Sequence, residues 1–161
     1  MNARLITAVI AGLTVFAPAY SQDFNMSSRP EFGRYGSVSY VTGGIGEDEA
    51  MQMKVEAPYH PLALQFLEDC RGHSDYSAYE WVDIRDTQGN TVLAAQAKGP
   101  FMLVDLPRGR YTVTASNAGW TQSRQVMVGG GRQQVSFTWP LPEYDAVNLP
   151  CTAPEYEYQA Y

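Results

Sequence analysis

Val82-Asp83-Ile84-Arg85-Asp86-Thr87-Gln88-Gly89-Asn90-Thr91-Val92 decides the fold class. Val82 and Ile84 alternate with Asp83 and Arg85, the period of two that a strand shows when one face is buried and the other wet. Asp86 at the first and Gly89 at the fourth position then suit a type I turn followed by a left-handed residue, which closes a short hairpin. The same alternation recurs on both sides, at residues 62–67, 79–85, 91–97, 101–105, 111–116, 124–128 and 135–139. Seven strands at this spacing predict an all-β, antiparallel sandwich. The registers put Val82, Ile84, Val92, Tyr111, Val113, Ala115, Val126, Val128, Val135, Phe137 and Trp139 inside. They put Thr112, Thr114, Gln125 and Ser136 in water and leave Trp81 and Trp120 at least half-exposed.

Upstream, residues 22–36 are polar and broken by Pro and Gly, and read as a surface-draped arm. Residues 37–42 alternate weakly, and Met51-Gln52-Met53-Lys54-Val55-Glu56 alternates strictly, predicting extra N-terminal strands and little or no helix. Leu106-Pro107-Arg108-Gly109 fits a further type I turn, and Gly129-Gly130-Gly131 reads as a tight hairpin. Residues 140–161 form an acidic, tyrosine-rich tail.

The N-terminus carries a different message. Arg4 precedes an uncharged apolar stretch at residues 5–16, and Ala17-Pro18-Ala19 follows as a small-x-small cleavage site. Residues 1–19 are therefore expected to be a signal peptide, with 20–61 an arm plus extra strands, 62–139 the sandwich domain and 140–161 the tail. No later stretch is apolar for long enough to span a bilayer, so a periplasmic or secreted protein without a membrane span is expected. Lys+Arg 11 against Asp+Glu 17 gives a net charge of −6, and loss of Arg4 makes the remainder more negative still, which disfavours nucleic acid as a partner. The two cysteines, Cys70 and Cys151, would pair in an oxidising compartment, closing a loop of about 80 residues worth on the order of 4 kcal/mol in chain entropy. Cys70-Arg71-Gly72-His73 has half the spacing of a zinc site, but no second half follows, so no metal is expected there.

The run Val82-x-Ile84-x-Asp86-x-x-Gly89-x-x-Val92, then Gly99-Pro100-Phe101, then Asp105-Leu106-Pro107-x-Gly109-x-Tyr111-x-Val113-x-Ala115, resembles a carboxypeptidase regulatory-like domain of the transthyretin-like (prealbumin-like) sandwich type. The resemblance covers about half of the chain. Residues 40–47 are also similar to the leader of small bacterial secreted proteins in which this domain stands alone. It implies an Ig-like accessory or interaction module with no catalytic residues to carry over. The zinc peptidase pattern H-x-x-E is absent here, since His60 is followed by Pro-Leu-Ala and His73 by Ser-Asp-Tyr.

Independent searches for chemistry agree with a non-enzyme. There is no G-x-S-x-G elbow, P-loop or dinucleotide fingerprint, and no cofactor is expected. Glu47-Asp48-Glu49 lacks the spacing of a dedicated calcium loop and reads as a solvated acidic loop, and Met51 and Met53 near His60 read as core filler rather than a copper site. The expected function is binding of another protein in the cell envelope, with a carbohydrate-binding module using Trp81, Trp120 and tyrosines as the alternative. The expected docking segment is Gly43, Gly44, Gly46, Glu47, Asp48, Glu49, Met51 and Met53. Its glycines let the loop be shaped by a partner, its acids attract a basic one, and residues 51–56 offer an edge strand for strand addition.

Overall fold

The computed structural model describes residues 29–70 and 73–140, without the side chains of residues 70 and 73. Ten strands and one α-helix are present among them. β1 (Glu31–Tyr35), β2 (Val38–Gly43), β7 (Phe101–Val104), β3 (Leu62–Cys70) and β10 (Gln133–Pro140) lie side by side in that order, and β4 (His73–Tyr76) pairs with the far end of β3. The second sheet is β6 (Thr91–Gln96), β5 (Trp81–Asp86), β8 (Gly109–Asn117) and β9 (Trp120–Val128). The chain is thus mostly β, with two sheets packed through one apolar core. Phe66, Phe137, Trp139, Met102 and Leu64 face that core from the first sheet, and Ile84, Val82, Leu93, Val113 and Ala115 from the second.

Most inward positions expected from alternation are buried. Val92 packs against the core but is only partly buried, because the β5–β6 register slips at Ile84/Arg85 and the fully buried position goes to Leu93. The turn below is as expected, with Gly89 N–H donating to Asp86 O and the Asp86 carboxylate accepting from the N–H of Gln88 and Asn90.

Several expectations are corrected. Between residues 62 and 140 there are eight strands rather than seven, the added one being β4, whose His-Ser-Asp-Tyr sequence carries no apolar alternation. The sheets are not wholly antiparallel, since β10 runs parallel to β3, Phe137 beside Phe66. The residue 22–36 arm contains β1, which pairs with β2 from Glu31 opposite Thr42 to Tyr35 opposite Val38. The three glycines at 129–131 are not a hairpin but carry the chain from β9 in one sheet to β10 in the other, where Arg108 Nη2 donates to Gly129 O at 2.6 Å. Likewise the Leu106–Gly109 segment crosses between sheets, and Tyr111 Oη donates to Pro107 O at 2.9 Å to fix the corner. Burial raises the Tyr111 pKa, helped by the nearby Asp86 charge.

The largest correction is at residues 51–56, which are helix, not strand. α1 (Glu47–Glu56) carries Glu47, Asp48 and Glu49 in its first turn and Lys54 in its last, complementing the helix dipole, and Pro58 follows its end. Its buried residues are Glu49, Ala50 and Met53, a spacing of three to four. They cover the outer face of the first sheet against Ala63, Phe101 and Leu103. Phe101-Met102-Leu103-Val104 is therefore buried on both faces, helix on one side and second sheet on the other.

Candidate functional site

The turn between β2 and α1 is held by close backbone approach. A Cβ at Gly99 would run into the Gly43 carbonyl, which excludes any larger residue there, and one at Gly43 would displace the Glu49 carboxylate. Thr42 Oγ1 donates to Phe101 O at 3.0 Å and accepts the Lys98 N–H at 2.9 Å, locking the end of β2 to the β6–β7 crossing. This fixes the start of α1 beside the end of β4 and leaves a pocket of about 630 Å³ between them. It is lined by Gly44, Ile45 and Pro100, by Ala50 and Met51 of α1, and by Tyr76, Ser77 and Ala78 at and after the end of β4. The volume lies within the roughly 300–1,000 Å³ of small-ligand pockets.

Two charges border it. Glu47 and Lys54 both line the pocket from α1. Seven residues apart, they share one helix face and are separated by about 10.5 Å of rise. Lys54 Nζ lies 5.4 Å from the Tyr76 ring centroid and 5.9 Å from that of Phe101, and the two rings contact at 5.3 Å. Lys54 makes no ion pair with a carboxylate among the described residues.

Gly44, Gly46, Glu47 and Met51 of the expected docking segment line this pocket. Asp48 is exposed beside it in the first helical turn, and Met51 is 61% exposed. Gly43, Glu49 and Met53 turn inward. The expected edge strand at 51–56 does not exist, so strand addition there is withdrawn. The acidic loop is likewise only partly solvated, because Glu49 is buried with Oε2 unpartnered. Met53 lines a small pocket together with His60, whereas Met51 lines the larger one from another side of α1, so the two methionines and His60 do not come together at one place. Tyr76, Ser77, Ala78 and Pro100 were not anticipated. The signal for them was the all-apolar β7, which requires a layer on the outer face of its sheet. The Cys70–Cys151 pairing lies outside the described residues.

Behind Ser77 is a buried polar network in the β4–β5 crossing. Ser77 Oγ donates to Glu68 Oε1 at 2.9 Å, and Asn117 Nδ2 donates to Ser77 Oγ at 3.0 Å and to Glu80 Oε1 at 3.2 Å. Glu80 is fully buried, and its Oε2 has no partner. Burial raises the Glu80 pKa, the Glu68 charge adds to this, and the hydrogen bonds from Ser77 and Asn117 oppose it.

Two other constellations lack the arrangement that a nucleophilic serine or a shared indole platform needs. Ser39 Oγ donates to Asp105 Oδ2 at 2.8 Å and His60 Nδ1 lies 2.8 Å from Asp105 Oδ1. The carboxylate stands between hydroxyl and imidazole, whereas a nucleophilic serine needs the imidazole next to it. Trp81 pairs with Ser116 and so shares the outer face of the second sheet with Thr121, while Trp120 is of opposite parity. The two indoles do not form one platform. No protein-family model matches the chain, and no curated protein matches it significantly.

Proposed function

We propose that the protein is an exported, non-catalytic β-sandwich module, of the carboxypeptidase regulatory-like, Ig-like or transthyretin-like kind, that docks another envelope protein through the pocket between α1 and residues 76–78. The observation that carries this is the apolar lining of a pocket of about 630 Å³ by Ile45, Ala50, Met51, Ala78 and Pro100, with Glu47 and Lys54 at its border. An apolar centre with a charged rim is the anatomy of a protein-docking patch. The opposite parity of Trp81 and Trp120 disfavours the carbohydrate alternative. The sheet-crossing corner closed by Tyr111 and Pro107 supports the sandwich type. Export and a Cys70–Cys151 disulfide belong to the same proposal, on the strength of the N-terminal sequence and the two cysteines.

The test uses Met51→Asp, an exposed position whose change leaves the core intact. Wild-type protein is expected to retain a partner from an envelope extract that the variant loses, with increased amide protection at residues 43–56 in the wild-type complex alone. Equal retention by both proteins, without protection at those residues, refutes the docking site.

A further inference from the structure

Resting on that docking reading, we infer that the pocket recognises an extended apolar peptide segment bounded by a base at one end and an acid three residues away at the other. The pocket has a polarity that its apolar lining alone would not give. Glu47 stands at one end of the helix wall and Lys54 at the other, with Ala50 and Met51 between them. The spacing along α1 is about 10.5 Å. In an extended chain of polyproline type, positions three apart lie on the same edge about 9 Å from one another, so base-x-x-acid matches Glu47 and Lys54 in sign and is close to their spacing along the helix axis.

The charge at each end is available. Lys54 Nζ is held over the Tyr76 and Phe101 rings rather than against a carboxylate, which presents its ammonium at the pocket wall. Glu49 is withdrawn into the core, leaving Glu47 and the neighbouring exposed Asp48 as the acids at the opposite end. A purely basic partner, which the acidic tract alone would attract, leaves Lys54 unmatched. A purely apolar one leaves both charges facing it without partners. The two apolar positions of the segment would rest on Met51, Ile45 and Pro100.

Four peptides test this, each acetylated and amidated so that only side chains are charged: Gly-Lys-Leu-Leu-Glu-Gly and its versions with Gln for Lys, Gln for Glu, and Gln for both. Binding to wild-type protein, Glu47→Gln and Lys54→Gln is measured by titration at low and high salt. Glu47→Gln is expected to weaken the peptides that carry Lys by about two- to fivefold and to leave those without it unchanged. Lys54→Gln is expected to do the same for the peptides that carry Glu. Both couplings should shrink as salt rises. Equal binding of all four peptides by all three proteins overturns the inference, as does absence of binding by the wild type at millimolar peptide. The docking reading itself stands or falls separately, on loss of the natural partner by Met51→Asp.

Discussion

Glu80 shows how one residue ties the pocket wall to solution conditions. Its carboxyl is fully buried, has one unpartnered oxygen and shares the Ser77 and Asn117 neighbourhood with Glu68, the acid across the crossing. Burial raises its folded-state pKa above that of the unfolded chain. Its contribution is therefore most favourable below the ordinary carboxylate range and is lost as pH rises through the raised folded value. Glu80→Gln keeps the shape and removes the titration. The variant is expected to gain stability relative to wild type as pH rises to neutral, because the amide removes the buried charge while leaving the same position without a partner. The gap should close toward acid pH. Urea unfolding of both proteins from acid to neutral pH checks this, and parallel stability curves would show that Glu80 does not titrate across folding.

At the scale of elements, the β8–β9 hairpin contains a local misfit. Asn117 pairs with Trp120 across a two-residue turn in which Ala118 and Gly119 have φ of 46° and 87°, both left-handed. A side chain with a Cβ is disfavoured there, and Asn is the residue best tolerated before Gly. Ala118→Asn is expected to stabilise the protein by about 0.5–1 kcal/mol, read as a higher thermal midpoint, and Ala118→Val to lower it. No change in either direction would mean that the turn relaxes in solution. β8 was legible in the sequence because it buries one face, with Val113 and Ala115 inside and Thr112 and Thr114 not, whereas β9 was read only over residues 124–128 because Val126 and Val128 are its only buried residues. α1 was illegible for a physical reason. Its buried face consists of an acid, an alanine and one methionine, so the apolar signal at helical spacing is weak, while Met51, Met53 and Val55 mimic a strand although only Met53 is buried. The acidic first turn and Lys54 were the better indication. Of the docking segment expected from sequence, Gly44, Gly46, Glu47 and Met51 line the pocket, although the edge strand that pointed to them does not exist, and Tyr76 and Ala78 had no local sequence signal because their contribution depends on a sheet crossing and not on local pattern.

For the whole molecule, the layers are unequally attached. The two sheets share one large apolar core, whereas α1 is fastened to the outer face of the first sheet by little more than Ala50 and Met53. A ten-residue helix has marginal stability of its own and depends on that attachment. It should therefore open in a sub-global step, exposing Phe101 and Leu103 while the sheets stay intact. Native-state hydrogen exchange is expected to show α1 amides opening at lower free energy than those at the centres of β5 and β8. Met53→Ala, which empties a side chain that is only 1% exposed, should lower the α1 opening energy by about 2–4 kcal/mol and leave the sheet amides little changed. Because α1 supplies one wall of the pocket, the same variant should weaken binding there without altering any lining residue. If α1 and the central strands instead exchange with one common free energy, and Met53→Ala lowers them together, the helix is part of the global folding unit and the pocket is as rigid as the sheets that carry it.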